Sequence, residues 1–401
     1  MRILGIETSA DDTGVALIEA NGPFGTGFKF EVLGNTVSSQ SHAEYGGIYP
    51  NIAKREHAKN LVPTLERTLR EGRILRAGAV SNVAHVKDLL AREPEIFEHL
   101  TPFLSKYERP DIDAIAVTVG PGLEPCLWTG INLARVLADV WDMPVVPVNH
   151  MEGHLLMSTI NFGQNPDTSR FREVSGLGLH AFTLPTIVLL VSGGHTELLL
   201  MKALGDYQYI GRTRDDAAGE AFDKVARLLD LPYPGGPQIS RLAEEARKRR
   251  LEPLVKLPRP MITTNDYDFS FSGLKTAVER FVSTHEWQSL DRERIAREVE
   301  DAITDVLVYK TLRAVEEYSV SSVVMSGGVS ANKHIREELN RKLKAVSCQL
   351  LVCPPEYSTD NGLMIALAGY FHALNKEFAD PSSLVADGNL MLDLETAPRE
   401  E

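Results

Sequence analysis

The sequence predicts an α/β protein with a duplicated architecture. Residues 3–18 form an apolar segment, a polar turn and a second apolar segment, and residues 186–201 repeat this order around Ser192-Gly193-Gly194. A second Ser-Gly-Gly, at 326–328, follows another hydrophobic strand pattern and leads into a helical pattern. Alternating strand and helix patterns are typical of α/β folds, and an internal repeat indicates duplicated units.

The elements between these repeats fit the same architecture. Residues 2–7, 112–119 and 145–148 have the apolar composition of buried strands. Four further segments have the periodicity of helices: 54–76, 130–141, 216–230 and 291–318. Strands that alternate with helices in this way favour a parallel or mixed sheet in each unit.

These elements suggest how the domains are arranged. We expect a first lobe over 1–147, with an insertion near 77–110 and a shorter one near 22–30. The second lobe is expected over 148–375, carrying the nucleotide and metal sites, with its final helices packing back on the first lobe. The tail over 376–401 is expected to be peripheral.

Composition limits the class of protein. Of the 401 residues, 43% are hydrophobic and 24% are charged, as in ordinary globular proteins, and no apolar run is long enough to span a membrane. The net charge of −13 excludes a globally basic nucleic-acid binder, although a basic stripe at 241–259 remains available. Three cysteines cannot form a disulfide framework, and no leader precedes the first strand, so we expect a cytoplasmic protein.

A pair of histidines is the strongest single signal. In a helix, His150 and His154 lie one turn apart on the same face, where they can share a metal ion. Glu152 lies about 200° around that helix from His150, so it does not occupy the position of the base in an H-E-x-x-H metalloprotease. Two histidines in ordinary hydrogen bonds are the alternative. A carboxylate is the usual further ligand, and Asp360 is a candidate that sequence spacing alone does not bring close.

Glycine-rich turns indicate an anion-binding site. Without Cβ atoms in the way, the backbone N–H groups of Ser192-Gly193-Gly194 and Gly327-Gly328 can approach a phosphate closely. The helix expected after the second turn adds positive potential at its N-terminus. For each turn, the alternative is a tight turn with no ligand. Carboxylates between Asp215 and Asp223 could accept hydrogen bonds from ribose hydroxyls, or could stabilise the N-terminus of a helix.

Seven motifs, taken in order, resemble those of one family. They are Gly5-Ile6-Glu7-Thr8-Ser9, His150-Met151-Glu152-Gly153-His154, Leu190-Val191-Ser192-Gly193-Gly194-His195-Thr196, Asp216 to Lys224, Asp268-Phe269-Ser270-Phe271-Ser272-Gly273-Leu274-Lys275, Ser326 to Asn332 and Thr359-Asp360-Asn361-Gly362. From about residue 1 to 375 the chain resembles the bacterial-type tRNA N6-adenosine threonylcarbamoyltransferases, called TsaD and formerly O-sialoglycoprotein endopeptidases. The resemblance implies the actin/Hsp70/sugar-kinase (ASKHA) fold, in which two α/β lobes surround a nucleotide cleft.

The resemblance also implies a reaction, a cofactor and partners. The threonylcarbamoyl group of threonylcarbamoyl-AMP passes to N6 of the adenosine just 3′ of the anticodon, in tRNAs that read codons starting with A, and AMP is released. One divalent metal ion, iron or else zinc, is bound by His150, His154 and Asp360. Eight residues match adenylate-binding positions: Leu190, Val191, Ser192, Gly193, Gly194, Asp223, Gly236 and Asn332. The implied partners are tRNA, a metal-free paralogue of the same fold and a P-loop ATPase, with a homodimer as the alternative.

Some positions depart from the family pattern, and other functions remain open. Ser240 stands where many relatives have an aspartate near the ribose, and Ala10 replaces a cysteine in the first turn. Asp11, in the same turn, is a candidate for positioning the substrate or transferring a proton, and stabilising the turn is its alternative role. A metalloprotease, a small-molecule kinase of the same fold and a non-catalytic scaffold are the competing functions.

Overall fold

Two compact units make up the described part of the chain. The structure, a computed structural model, describes residues 1–25, 27–40, 49–80, 85–161, 178–284 and 289–392. The first unit comprises Met1–Ala181 together with Thr359–Leu392, and the second comprises Phe182–Ser358. Each unit contains one five-stranded sheet.

The first unit is built on a mixed sheet. Its strands are β1 (Arg2–Glu7), β2 (Asp12–Asn21), β3 (Lys29–Ser39), β4 (Ala114–Gly120) and β5 (Val145–Asn149). They lie in the order β3-β2-β1-β4-β5; β2 is antiparallel to both β1 and β3, whereas β1, β4 and β5 run parallel. A short ribbon of β6 (Ile160–Asn161) and β7 (Gly178–Leu179) lies outside this sheet.

Helices pack against both faces of the first sheet. They are α1 (Pro50–Glu71), α2 (Val86–Leu89), α3 (Pro94–Lys106), α4 (Glu124–Trp141), α5 (His150–Thr159) and, from the end of the chain, α11 (Gly362–Leu374). Leu4 and Ile6 of β1 join the core beneath α1 and α4, while Gly5, between them, meets α11 on the opposite face. Burial on both faces explains why β1 and β4 are nearly continuous apolar runs.

The second unit repeats this arrangement. Its strands are β8 (Thr186–Val191), β9 (Thr196–Ala203), β10 (Asp206–Arg212), β11 (Ser322–Ser326) and β12 (Gln349–Val352). Their order, β10-β9-β8-β11-β12, has the same parallel and antiparallel pairings as the first sheet. The duplicated α/β fold of the actin/Hsp70/sugar-kinase class, predicted from the sequence, is confirmed.

The two Ser-Gly-Gly turns of the second unit follow neighbouring parallel strands. One turn follows β8 and the other follows β11, and Ser326 lies opposite Leu190 in the register of these strands. The second turn therefore occupies the place of the β4 turn of the first unit, not that of the β1 turn. Because parallel strands end at the same edge of a sheet, the two turns lie side by side.

Five helices complete the second unit. They are α6 (Ala218–Leu228), α7 (Gly235–Lys248), α8 (Ser272–Thr284), α9 (Ser289–Glu317) and α10 (Lys333–Ala345). The long helix α9 packs against α7 and α10 and also contacts β8. A 3-10 turn over Gly328–Ala331 joins β11 to α10.

The boundaries of the units differ from those expected. Both α5 and α11 belong to the first unit, so the second unit ends at Ser358 and not at 375. The helix α11 is almost wholly apolar and buried, and a Cβ atom on Gly5 would lie 2.4 Å from the carbonyl oxygen of Gly362. Only glycine permits that approach, which brings the start of α11 against β1.

The chain beyond 375 is also less peripheral than expected. Ala379 pairs with Val145 at the edge of the first sheet, and Arg135 donates a hydrogen bond to the carbonyl oxygen of Pro381 at 2.9 Å. Leu384 and Leu392 are buried. These contacts fasten residues 379–392 to the first unit, whereas residues 393–401 of the expected tail lie outside the described residues.

The insertion expected near 77–110 contains α2 and α3. These helices pack against α4 and α1 respectively, whereas residues 81–84 of the insertion lie outside the described residues. Of the shorter insertion near 22–30, residue 26 also lies outside them. Within the parts of the chain that the structure describes, no helix combines the length and apolar character needed to cross a membrane.

Candidate functional site

The two histidines stand at the start of α5. The strand β5 ends at Asn149, whose side-chain oxygen accepts hydrogen bonds from the N–H groups of Met151 at 2.8 Å and Glu152 at 3.4 Å. This N-cap makes His150 the first helical residue and places His154 one turn later. Both imidazoles are buried, and their ring centroids lie 4.7 Å apart. The predicted shared face of the two histidines is therefore present.

Asp360 completes a set of three possible metal ligands. Its Oδ1 atom lies 2.9 Å from Nε2 of His154 and 3.4 Å from Nε2 of His150. One ligand atom from each of the three residues lies within 4.8 Å of the others, so together they could hold a metal ion. Asp360 reaches this position because it immediately precedes the α11 start that packs against β1, with Asn361 as the N-cap.

Glu7 orients one of the histidines. This glutamate ends β1, is fully buried, and has Oε2 only 3.0 Å from Nδ1 of His150. Oε2 also accepts a hydrogen bond from the Thr118 hydroxyl at 2.5 Å, and Oε1 accepts one from the Ser9 N–H at 2.5 Å. A His150 ring that donates its Nδ1–H to Glu7 keeps the Nε2 lone pair for a metal ion. Sequence reasoning missed this role, although a charged residue at the end of an apolar strand was its signal.

The electrostatics of this cluster favour a cation. Burial by itself would raise the pKa of Glu7 and that of Asp360, but the neighbouring positive charge of His150 holds both pKa values below their ordinary range. Burial would likewise lower the pKa of His150, yet Glu7 and Asp360 raise it well above its usual value. The buried Glu7 and the partly exposed Asp360 thus hold one positive charge between them. Two imidazole nitrogens and a carboxylate oxygen are a donor set that suits zinc or iron, so these residues fit a bound metal ion.

Glu152 is engaged elsewhere. Its Oε2 atom lies 2.6 Å from Nε2 of His372 on α11, and Nδ1 of His372 lies 2.5 Å from Glu377. Burial opposes protonation of His372, but the carboxylate of Glu152 and then that of Glu377 raise its pKa to about 9. Glu152 is therefore the partner of a histidine that ties α5 to α11, which leaves the metalloprotease alternative without the base that its motif requires.

The first turn holds Asp11 and Asp12 beside this cluster. His57 of α1 fixes the turn, because its Nδ1 lies 2.8 Å from the Thr13 hydroxyl and its Nε2 lies 2.9 Å from the carbonyl oxygen of Ala10. Both aspartates are half-buried. Burial raises the pKa of Asp12 to about 6, helped by the nearby carboxylates of Asp11, Asp360 and Glu7. The sequence pointed to Asp11, whereas the structure makes Asp12 an equal candidate.

The second unit contains a cavity of about 510 Å³. Its walls are formed by Gly193, Gly219, Phe222, Asp223, Pro234, Gly236, Pro237, Ser240, Arg241, Glu244, Gly328, Val329, Ala331, Asn332 and Lys333. Three helices, α6, α7 and α10, begin at this cavity, and helix N-termini present unpaired N–H groups and positive potential. The cavity is thus suited to an anionic ligand such as a phosphate ester.

A close packing contact joins α6 to the first glycine turn. The Gly219 N–H donates to the carbonyl oxygen of Ser192 at 3.2 Å, and a Cβ atom on Gly219 would lie 2.6 Å from that oxygen. By contrast, no atom lies within 4 Å of a Cβ atom built on Gly193 or Gly194. Gly219 of α6 thus packs against one side of the turn, while the space beside Gly193 and Gly194 is open.

Of the eight residues expected to bind an adenylate, four line the cavity. They are Gly193, Asp223, Gly236 and Asn332. Leu190 and Val191 are fully buried in β8. Ser192 and Gly194 belong to the same turn as Gly193, and the Ser192 hydroxyl accepts a hydrogen bond from the His195 N–H at 3.1 Å. Asp223 accepts a hydrogen bond from the Gly235 N–H at 2.7 Å, at the first residue of α7.

The basic stripe at 241–259 is largely neutralised. Helix α9 supplies carboxylates to three of its arginines: Arg247, Arg249 and Arg259. Lys248 lies beside Glu244 and Glu245. The stripe is thus mostly a set of ion pairs between α7, the following loop and α9, which weakens its case as an RNA-docking surface.

Comparison with known proteins identifies the family. A family model described as tRNA N6-adenosine threonylcarbamoyltransferase matches residues 31–84 and 104–367. A relative of that name from Persephonella marina is 41% identical over 380 residues, covering 92% of this chain and 90% of its own. Another, from Aromatoleum aromaticum, is 39% identical over 375 residues, covering 93% of this chain and 92% of its own.

Among solved structures, a ROK hexokinase from Thermus thermophilus aligns with 94% of this chain and 100% of its own, at 12% identity and a TM-score of 0.44. The agreement of the family model and the two relatives, each over most of the sequence, is decisive. The chain belongs to the tRNA N6-adenosine threonylcarbamoyltransferase family.

Proposed function

We propose that this protein transfers a threonylcarbamoyl group from threonylcarbamoyl-AMP to N6 of the adenosine just 3′ of the anticodon, in tRNAs reading codons that start with A. The observation that carries the proposal is the set of two buried histidines, His150 and His154, and the partly exposed Asp360, with Glu7 orienting His150. It accompanies membership of a family whose relatives are named for this transfer. A kinase of the same fold would have no use for such a set.

The cavity of the second unit is proposed to bind the adenylate. The N-termini of α6, α7 and α10 and the exposed N–H groups near Gly193 would stabilise the phosphate, on which negative charge grows as AMP departs. Asp223, which lines the cavity, is suited to accept a hydrogen bond from a ribose hydroxyl. Ser240 and Glu244 of α7 also line the cavity, so a carboxylate is present one turn beyond the position where relatives have an aspartate.

In the first unit, His150, His154 and Asp360 would hold one divalent metal ion, iron or zinc. Such an ion supplies Lewis-acid polarisation of a carbonyl or phosphoryl oxygen. Glu7 keeps a proton on Nδ1 of His150 and so holds that ring in one tautomer. The remaining carboxylates, Asp11 and Asp12, lie in the turn beside this set and are the candidates for accepting a proton.

The proposed transfer is balanced in atoms and charge. The N6 lone pair of adenosine forms a bond to the carbamoyl carbon, and the bond from that carbon to the phosphate oxygen breaks with its electron pair going to AMP. The proton lost from N6 passes to Asp12, Asp11 or water. Because an exocyclic amine is a weak nucleophile, most of the rate must come from orientation and from stabilising the departing phosphate.

Partners are proposed from the family pattern. Besides tRNA, we expect a metal-free paralogue of the same fold and a P-loop ATPase to act with this protein. A homodimer that works alone is the alternative. Adding the partner proteins stepwise to the assay below distinguishes the two arrangements.

A reconstitution tests the proposal. Purified protein, threonylcarbamoyl-AMP and unmodified tRNA that reads codons starting with A are combined, with and without the partner proteins, and the nucleosides are analysed by mass spectrometry. Wild type is compared with His150→Ala and with His99→Ala, which removes an exposed histidine of α3.

Modified adenosine from wild type and His99→Ala, but not from His150→Ala, is the expected result. If wild type makes no modified adenosine even with every partner present, the proposed function is wrong. A kinase activity would then be sought with the same preparation.

A further inference from the structure

Both polar atoms of the Asn332 side chain have a hydrogen-bond partner within the protein. Its Oδ1 atom accepts a hydrogen bond from the Ile335 N–H at 3.0 Å and so caps α10. Its Nδ2 atom donates to Oε1 of Glu300 at 2.7 Å. Although Asn332 lines the cavity, its amide is therefore committed to holding the start of α10 in place.

Glu300 connects two helices through one carboxylate. It lies on α9, is fully buried, and receives Asn332 on Oε1 and Nη1 of Arg247 on Oε2, the latter at 2.5 Å. Arg247, near the end of α7, also donates from Nη2 to Asp301 at 2.5 Å. The buried carboxylate thus holds the start of α10 with one oxygen and α7 with the other.

Both connected helices form walls of the cavity. Gly236 and Ser240 of α7 line one side, and Asn332 and Lys333, at the start of α10, line another. A second link reinforces the frame, because Nε2 of His334 lies 3.0 Å from Oδ1 of Asp301. A change at Glu300 would therefore alter the spacing of two walls, although Glu300 does not itself line the cavity.

We propose that Glu300 is a positioning residue of the adenylate cavity, acting through Asn332 and Arg247 on the two helices that bound it. This inference rests on the proposed function, because it takes AMP or its acyl derivative as the ligand of the cavity. The network can set the spacing of the two helices, because both carboxylate oxygens of Glu300 are paired, one with Asn332 and one with Arg247. Breaking this network should therefore weaken AMP binding by more than the accompanying loss of stability explains.

The chain offers a matched control on the same helix. Glu298 is also buried on α9 and is also paired with an arginine, Arg259, while its Oε1 accepts the Leu257 N–H at 2.9 Å. Neither Glu298 nor its partners line the cavity. Glu298→Gln therefore disturbs a similar buried ion pair without reaching α10 or the cavity walls.

The test measures AMP binding by isothermal titration calorimetry, with the melting temperature of each variant recorded beside it. Glutamine has one acceptor oxygen where Glu300 serves two donors, so Glu300→Gln cannot satisfy both Asn332 and Arg247. Loss of one such hydrogen bond is expected to weaken AMP binding about tenfold. Glu298→Gln removes the charge from its pair with Arg259 and is expected to lower the melting temperature, but to change the AMP dissociation constant less than about twofold.

A second variant keeps the inference testable if Glu300→Gln folds poorly. In Asn332→Ser the hydroxyl can still cap α10 but is too short to reach Glu300, so AMP binding should weaken similarly. The double variant should be no weaker than the worse single variant, because both break one connection.

Two results would overturn different claims. Unchanged AMP affinity in Glu300→Gln, or equal losses in Glu298→Gln, would overturn the positioning role alone. If wild-type protein fails to bind AMP, the adenylate cavity of the proposed function fails as well.

Discussion

The two units share one sheet topology but present different groups at the carboxyl ends of their strands. At the carboxyl ends of β1 and β5, the first unit places Glu7 and His150, which are buried and held by each other. At the carboxyl ends of β8 and β11, the second unit places glycine turns, and three helices begin beside them. The site proposed in the first unit is thus built from side chains, and the one proposed in the second unit is built mostly from backbone.

This difference shows where each unit tolerates charge. The first unit keeps two carboxylates and two imidazoles in its site, where a metal ion would compensate the carboxylate charge. The second unit also contains a buried charge, that of Glu300, but Arg247 pairs with it and with the partly exposed Asp301 outside the cavity lining. Substituting a charged residue should therefore affect metal binding in the first unit and the shape of the cavity in the second.

The largest effect is expected from removing a ligand of the first unit. Asp360→Ala leaves only two imidazoles, and metal affinity should fall by more than about 100-fold, since even outer partners of metal ligands are worth 10- to 100-fold. The measurement is metal content after dialysis against a competing chelator. Asp206→Asn, at the exposed start of β10, is the control. Full metal content in Asp360→Ala would show that the three residues are not a metal site.

A smaller effect is expected from Glu7→Gln, which keeps the shape of the side chain. Losing the charge that orients His150 should reduce metal affinity about 10- to 100-fold while the protein remains folded. The same chelator competition measures it, with Glu19→Gln on the half-exposed end of β2 as the control. Equal metal affinities in the two variants would mean that Glu7 serves only the packing of β1.

Sequence reasoning found this histidine pair but not its surroundings. The spacing of His150 and His154 is local, so the helical period alone places both on one face. Glu7 and His150 lie 143 positions apart. No pattern within one segment indicates that β1 and β5 flank β4 and end at the same edge of the sheet. Asp360 was reached only through the family resemblance, because its approach depends on the close contact of Gly5 with α11.

The fold could be predicted because its signals are also local, whereas the boundaries of the two units could not. Repeated strand and turn patterns are visible in the sequence, so the duplication could be inferred. The final helices were expected to pack back on the first lobe, and α11 does belong to the first unit; where that return begins, at Thr359, depends on packing between distant segments. For Asn332 the resemblance indicated a ligand contact. Its cap of α10 is local, whereas its hydrogen bond to Glu300 depends on a helix that begins more than 30 residues earlier.

The pair of Glu152 and His372 makes the stability of the first unit depend on pH. The folded pKa of His372, about 9, lies above its ordinary value of 6.5, so its contribution is complete below pH 6.5 and is lost as pH rises through 9. After allowing for its partial exposure, we expect about 2 kcal/mol. Urea unfolding of wild type and His372→Gln at pH 6 and pH 10 measures this contribution. A stability difference that is the same at both pH values would show that His372 is not protonated in the folded state.

The smallest effect is expected in the second unit, and it separates binding from stability. A methyl group on Gly193 meets no atom within 4 Å but enters the cavity, so Gly193→Ala should leave unfolding free energy within about 0.5 kcal/mol of wild type. AMP binding should weaken by about 1 kcal/mol, roughly fivefold, because the methyl group takes the place of ligand atoms at the turn. Gly273→Ala, on the exposed side of α8 with a similarly open position, should change neither quantity. If Gly193→Ala binds AMP as wild type does, the ligand does not approach this turn. The second unit would then not bind its ligand through the backbone of the glycine turn, and the contrast with the side-chain site of the first unit would be wrong.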